Sequence, residues 1–585
     1  MTGEHRAQTV VGALLEQAAD TPDRTAFHVI ERSEEEFALT YADVCRLVGG
    51  AAAGLRAHGI GEGERVLVVL PTSRDFLAVY LGCLYAGVVP VIAAEPTGAH
   101  PHYAAHLRGL VEQAGATRVI AAPDLAGSLA AFLPGAVTVT TPEALRGPPL
   151  TLDDPRATPA SLAHLQATSG STGAPKLALV RHGNITANVR AIAEAIRAEP
   201  EDSLVSWLPL FHDMGLIGIS YALHARIPMV LADPVNFLRN PMAWLRWISR
   251  HRGTLSPAPS SAFHICARVA KRRPPDDLDL SSWRVALCGA EPVHEATLRE
   301  FQAAFGPFGL RDTTLRPVYG LAETTLAATI SDVDRPFSVD RVDAEAVSAR
   351  GRAEPRPAGD PRSMSMMCVG PAVPGHRLRV VDPDGTPLPD RMIGEIEVAG
   401  PSLIDGYLPE RGAAQGASNA ASADERLKRP DGYLRTGDLG YQLDGELYVT
   451  GRRKEIVIIS GRNYIPDQIE RFVEAVVKSP RTPSVVAVGV PDPMLLTEQL
   501  HLLLDERIGD GRDRQAVTDE VRGALAEAFG IGGVTFHWIR RAQLPRTTSG
   551  KIQRHLCRRM IEERPPFRRT DVPTRVTSGG APDAG

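Results

Sequence analysis

The chain has 585 residues, 43% of them hydrophobic and 23% charged, with a net charge of −5. That length exceeds what one hydrophobic core spans, so two or more domains are expected. The near-balanced charge gives no reason to expect a nucleic-acid or membrane-surface partner.

No run of about 18 apolar residues would cross a bilayer, and the first ten residues lack a signal-peptide pattern. Cysteines 45, 83, 266, 288, 368 and 557 are scattered with no C-x-x-C pair. This argues against a cysteine zinc site or a disulfide framework and fits a reducing, cytoplasmic setting.

Residues 10–19 and 41–58 read as amphipathic helices around a strand at 26–30. Gly59-Ile60-Gly61-Glu62-Gly63 superficially suggests a dinucleotide fingerprint. It precedes the strand at 65–70 instead of following it, so it is read as a helix-to-strand turn. Strand 65–70, helix 73–86 and strand 88–93 make a βαβ unit, continued by strands at 119–122 and 137–140. The architecture is α/β with a mostly parallel sheet.

An apolar run at 162–165 then leads into Thr168-Ser169-Gly170-Ser171-Thr172-Gly173-Ala174-Pro175-Lys176. Gly170 and Gly173 allow main-chain N–H groups to close on a ligand, and four hydroxyls and Lys176 share the loop. Many small donors and one mobile cation suit a triphosphate, although composition alone equally allows a flexible surface turn. It is not a Walker A loop, because the glycine-to-lysine spacing differs and no Ser or Thr follows Lys176.

A helix at 182–198 and a strand at 203–208 lead to Pro209-Leu210-Phe211-His212-Asp213-Met214-Gly215-Leu216. His212 or Asp213 could serve catalysis, but their apolar neighbours favour a pocket wall. Strand patterns at 283–287 and 316–318 run into Cys288-Gly289-Ala290-Glu291-Pro292 and Tyr319-Gly320-Leu321-Ala322-Glu323-Thr324. Both place small-residue turns at the carboxyl ends of strands, where ligands collect in open α/β sheets.

Residues 331–366 turn rich in Arg, Asp, Pro and Ala, as an ordered insertion or a long loop. Short hairpins follow at 369–397, with turns at Pro383-Asp384-Gly385 and Ile393-Gly394, and then a low-complexity stretch at 410–428 expected to be mobile. Tyr433-Leu434-Arg435-Thr436-Gly437-Asp438-Leu439-Gly440 is expected to set a carboxylate at a tight turn, suited to two ribose hydroxyls. Gly451-Arg452-Arg453-Lys454-Glu455 is either a solvated loop or a domain joint. A small α+β domain over 456–560 ends in Pro545-Arg546-Thr547-Thr548-Ser549-Gly550-Lys551, whose turn could carry Lys551 into a cleft.

Together these stretches resemble the adenylate-forming superfamily of acyl-CoA synthetases, non-ribosomal adenylation domains and luciferases. The resemblance covers about residues 10–560. Within it the chain looks most like the fatty acyl-AMP ligases, through the segment 207–218, Gly289-Ala290-Glu291-Pro292 and Gly461-Arg462-Asn463-Tyr464-Ile465-Pro466. The resemblance implies an AMP-binding N-terminal domain at 1–450, with a β-rich subdomain and a ligase-type insertion at 331–366 that disfavours coenzyme A. It further implies a hinge at 451–455 and a small mobile α+β domain at 456–565, while the polar, Pro/Gly-containing composition of 566–585 predicts a disordered tail.

The implied reaction converts a carboxylic acid, fatty in type, to acyl-AMP with ATP and Mg²⁺, then passes the acyl group to a separate acyl or peptidyl carrier protein. Alternatives are an acyl-CoA synthetase, an enzyme for an amino or aryl acid, and an inactive nucleotide- or acyl-binding relative. By position, Thr168, Ser169, Gly170, Ser171, Thr172, Gly173 and Lys176 would hold the β- and γ-phosphates. Gly289, Ala290, Glu291, Tyr319 and Gly320 would flank adenine, and Asp438 and Arg452 would reach the ribose and the nucleotide. Glu323 would hold the metal, Thr324 the α-phosphate, and Lys551 the acyl carboxylate; Lys454 would be the hinge. Phe211, His212, Met214, Ser260, Phe263 and His264 are candidates for the acyl pocket. Ala167, Leu177 and the stretch 408–428 depart from the family pattern, which leaves the acyl substrate open.

Overall fold

Buried apolar strands alternating with amphipathic helices can cover both faces of a parallel sheet, and the first half of the chain does this twice. A computed structural model describes residues 7–96, 103–148, 150–152, 157–168, 176–360, 362–409, 427–477, 484–492, 497–508, 512–546 and 552–563. They divide into two compact units, Met1–Lys454 and Glu455–Gly585.

In the first unit, a six-stranded sheet runs in the order Thr138–Thr140, Arg118–Ala121, Arg65–Val69, Val89–Ile92, Leu162–Thr168, Lys176–Arg181. Its strands are parallel except for the last pair. An eight-stranded sheet runs Ala327–Ile330, Leu315–Gly320, Val285–Gly289, Leu255–Pro259, Leu204–Ser206, Met229–Ala232, Thr25–Ile30, Glu36–Thr40. It is parallel inside and antiparallel at both edges. The edge strand Glu36–Thr40 has no counterpart in the sequence reading.

Helices enter where the sequence offers caps. Thr40 and Asp43 form a reciprocal capping box for Tyr41–Ala57, and the Ser73 side chain caps Arg74–Ala86. The turn at 59–63 does join a helix to the strand Arg65–Val69. No helix among the described residues is long and apolar enough to cross a membrane.

A four-stranded antiparallel sheet, Arg377–Val381, Gly394–Ala399, Leu434–Leu443 and Glu446–Arg452, completes the first unit. Gly394 opens a strand there instead of forming a turn. The Arg/Asp-rich excursion is an ordered hairpin, Val339–Asp343 paired with Ser363–Met367, around a single helical turn at Ala346–Arg350. Polar links fasten it: Arg341 to Glu295 (2.8 Å), Arg391 to Asp340 (2.8 Å), and the Tyr441 hydroxyl to Asp340 (2.8 Å).

Arg316, fully buried on Leu315–Gly320, anchors the start of this excursion. Its guanidinium donates to the carbonyl of Val333 (2.7 Å) and to those of Thr313, Asp332 and Arg335. Arg316→Met would leave these carbonyls unsatisfied. We expect a loss of about 3 kcal/mol, read as an earlier unfolding transition in urea.

The second unit is α+β. Val485–Asp492, Thr497–Asp505 and Val534–Ile539 form a sheet flanked by the helices Pro466–Val476, Arg514–Phe529 and Arg554–Glu562, with a small hairpin at Val457–Ile459 and Arg462–Tyr464. The stretch 410–426, the tail from 564, the loop residues 169–175 and Lys551 lie outside the described residues.

Candidate active site

The strand Leu315–Gly320 ends at the carboxyl edge of the eight-stranded sheet and reverses at once into Ala327–Ile330. Only glycine fits at the reversal, because a Cβ on Gly320 would sit 1.8 Å from the Leu326 carbonyl oxygen. Thr325, at φ +70°, completes the turn. Asn188, fully buried on the helix His182–Ala195, clamps it from below. Its Nδ2 donates to the Ala327 carbonyl (2.8 Å) and to Ser402 Oγ (3.1 Å), and its Oδ1 accepts from the Ala327 N–H (3.0 Å). A turn fixed this way presents Glu323 from a rigid base.

Glu323 accepts a hydrogen bond from the Tyr407 hydroxyl. Burial raises its pKa; the bond from Tyr407 and the charge of Arg452 pull it back, and the charge of Asp213 adds to the rise. Tyr407 lies on a strap that laces along the strand Lys176–Arg181, with the Leu408 N–H donating to the Leu177 carbonyl (2.8 Å) and the Leu179 N–H to the Gly406 carbonyl (3.0 Å). Lys176 stands over its ring, Nζ 5.1 Å from the centroid. One tyrosine therefore joins the end of the Ser/Thr/Gly loop to the carboxylate at 323.

Asp438 reaches the same region from the four-stranded sheet. It lies inside the strand Leu434–Leu443, which corrects the expected tight turn. The physical device is a bulge. Partner residues shift register between Glu395 and Glu397, and Gly437 takes φ +73°. The two extra residues re-aim Asp438 so that Oδ2 accepts from the Tyr319 hydroxyl (2.7 Å) while Oδ1 lies 3.4 Å from Arg452 Nε. Burial, then the Asp438 charge, pushes the Tyr319 phenol well above its ordinary value, so it stays a donor.

Arg452 acts electrostatically on Glu323, Tyr407 and Tyr319 together. Lys176, Tyr407, Glu323, Asp213, Arg452, Asp438 and Tyr319 thus share one polar region. Of the loop, only Thr168 and Lys176 are described, and they pair across the strands that flank it. Ser169, Gly170, Ser171, Thr172 and Gly173 lie outside the described residues, as does Lys551.

Other candidates take different places. Gly289 allows close strand packing, since a Cβ there would sit 2.6 Å from Val318 Cγ2, and Ala290 follows at φ +63°. The Glu291 carboxylate accepts from the Ser261 N–H (3.0 Å) at the start of the helix Ser260–Arg272. Thr324 is fully buried and its hydroxyl donates to the Leu321 carbonyl (2.9 Å). Its oxygen holds the turn.

Phe263 is fully buried, 5.0 Å from the Phe301 ring and 5.3 Å from that of Trp244, and packs in the aromatic core. Helical spacing explains this, because 263, 266, 267 and 270 all turn inward. Ser260 and Met214 are buried, and His264 lies 3.4 Å from Glu300. His212 Nδ1 contacts Asp213 Oδ1 (2.6 Å), and the Phe211 carbonyl accepts from Gln166 Nε2 (2.9 Å). Lys454 is the last residue of the first unit.

Tyr407, Asn188 and Gln166 were missed from the sequence. Each acts through partners far away in the chain, and nothing local distinguishes them from ordinary strand and helix residues.

The donor set suits a nucleotide polyphosphate with a hard cation. The charge of Asp213 adds to the raised proton affinity of buried Glu323, and a divalent ion on oxygen ligands relieves that repulsion. Lys176 and Arg452 supply positive charge for phosphate.

Comparison with known proteins gives a consistent picture. Residues 14–408 match the family model described as AMP-binding enzyme. A putative acyl-CoA synthetase of Caulobacter vibrioides is 32% identical over 89% of this chain and 90% of its own length. The long-chain-fatty-acid–AMP ligase FadD32 of Mycolicibacterium smegmatis is 31% identical, covering 92% and 91%. The medium-chain-fatty-acid acyl-carrier-protein ligase JamA of Moorena producens is 31% identical, covering 92% of each chain. A solved structure from work on fatty acyl-adenylate ligases of E. coli and L. pneumophila superposes with TM-score 0.84 at 30% identity, covering 95% of this chain and 97% of that one.

Proposed function

Since this chain belongs to the AMP-binding enzyme family, among its fatty acyl-AMP ligases, we propose that it activates a fatty acid and hands it to a separate carrier protein in the cytosol. A carboxylate oxygen of the acid attacks the α-phosphorus of ATP, forming acyl-AMP and expelling pyrophosphate. The phosphopantetheine thiol then attacks the acyl carbon, releasing AMP and giving up its proton.

The first attack needs no general base, because the acid is already ionised at neutral pH. Its barrier is charge crowding around phosphorus, so the protein works by position and electrostatics. In this reading Lys176 and the loop from Thr168 hold the β- and γ-phosphates. Gly289, Ala290, Tyr319 and Gly320 border the adenine, Glu291 fixes the neighbouring helix, and Asp438 takes the ribose hydroxyls, steadied by Tyr319 and Arg452. Glu323, oriented by Tyr407, would hold Mg²⁺ with Asp213 beside it; the ion supplies charge neutralisation on the phosphates. Lys551 approaches the acyl carboxylate, and rotation about Lys454 exchanges the first half-reaction for the second.

The observation that supports this most is the pair of chains Lys176–Tyr407–Glu323 and Arg452–Asp438–Tyr319, which bring remote segments to one polar region. The ordered insertion favours a carrier over coenzyme A, whereas the Caulobacter relative's name favours coenzyme A. Pyrophosphate exchange with a panel of acids, followed by thioester formation on holo carrier protein or coenzyme A, decides. We expect exchange with fatty acids and faster transfer to the carrier. Exchange only with amino or aryl acids, or preference for coenzyme A, would overturn the respective half of the proposal.

A further inference from the structure

At the edge of the eight-stranded sheet remote from Leu315–Gly320, three side chains meet that the acyl-activating chemistry does not use. His28, on Thr25–Ile30, faces Ala38 across the strand pair, and Glu36 stands two residues before Ala38. His28 and Glu36 are therefore diagonal neighbours on one face. His251 ends the helix Met242–Arg250 and comes down on the same spot. Among the described residues this is the one group of three His, Cys, Asp or Glu whose ligand atoms lie within 4.8 Å of one another.

His28 Nδ1 is 3.1 Å and His251 Nε2 3.4 Å from Glu36 Oε1. A tetrahedral ion with ligand bonds of about 2.1 Å separates its ligands by about 3.4 Å, close to both of these spacings. His251 Nε2 and Glu36 Oε2 are buried atoms that make no hydrogen bond. The helix carboxyl terminus adds partial negative charge, which favours a cation.

We propose that His28, Glu36 and His251 form a binding site for a divalent transition ion, Zn²⁺ foremost, with a fourth position open to water. Two imidazoles and one carboxylate suit Zn²⁺, and Mg²⁺ or Ca²⁺, which want oxygen ligands, are excluded. Burial lowers the pKa of His251, with the charges of His28 and Arg250 in support and Glu36 opposing, which helps keep its imidazole neutral for ligation. The competitor is Arg250, whose Nη1 lies 3.3 Å from Glu36 Oε2. Its side chain is 71% exposed and can swing out. A bound ion would tie the edge hairpin to the helix end, fastening a part of the sheet that is otherwise held by one neighbour.

The test is Zn²⁺ titration calorimetry on chelator-treated full-length protein, with Co²⁺ absorption as a second readout of tetrahedral geometry. We expect one saturable site and a Zn²⁺-dependent rise in melting temperature. His251→Ala and Glu36→Gln should each weaken binding at least about tenfold and abolish the rise, while Arg250→Ala should tighten binding. Circular dichroism establishes that each variant folds, and Glu36→Gln preserves side-chain size if His251→Ala does not. No Zn²⁺ bound by the wild type, or wild-type affinity retained in both ligand variants, overturns the proposal. Pyrophosphate exchange is a separate assay, so the two readings fail independently.

Discussion

Lys551→Ala is expected to lower fatty-acid-dependent pyrophosphate exchange by about 10²–10³-fold while transfer from supplied acyl-AMP to holo carrier protein stays largely intact. The two half-reactions make different demands. In the first, an anionic acid must approach an anionic phosphate, and a cation poised between them acts mainly in the transition state. In the second, a thiol attacks a carbonyl already activated as an anhydride, and the leaving AMP needs no help from that lysine. Assaying each half-reaction alone separates these demands. Equal loss in both would mean that Lys551 supports the fold or a shared binding step, and the division of labour would be wrong.

Glu323→Gln should produce a loss of similar size, on the order of 10²–10³ in exchange rate, with a shifted Mg²⁺ dependence. The substitution keeps the side-chain shape and an acceptor for the Tyr407 hydroxyl, so the turn clamped by Asn188 should persist. Only the charge is removed. Because burial raises the Glu323 pKa, the ionised form is disfavoured in the folded state. Removing that charge should leave melting temperature equal or higher while activity falls. The same raised pKa means that wild-type exchange declines, as pH is lowered, at a higher pH than an ordinary carboxylate would give. The glutamine variant should lack that acid limb. An unchanged rate and Mg²⁺ response in Glu323→Gln would remove the carboxylate from the chemistry.

Local signals made much of the architecture legible. The segments around residues 41–58, 65–93 and 162–208 show helical or strand periods bounded by caps and turns, and these periods are set by burial against immediate neighbours. The edge strand Glu36–Thr40 was not legible, because it is five residues long, buries only Leu39 and follows the charged stretch 31–35, so it shows no strand period. Asp438 was found as a residue and misplaced as a geometry. A glycine before a carboxylate signals a turn or a bulge equally well, and only the partner strand decides. Phe263 stood next to plausible pocket residues in sequence, yet its ring belongs to the aromatic core with Trp244 and Phe301. Tyr407 and Asn188 were silent for a deeper reason. Their work is to connect positions 84 and 139 residues away, and no local pattern encodes such pairings.

The insertion hairpin also bears on engineering. Its strands are stitched to Glu295, Arg391 and Tyr441, none of which belongs to the inserted segment. Grafting 339–367 alone into another adenylating scaffold would strand Asp340 and Arg341 without counter-charges. A transplantable module must bring its three docking residues with it.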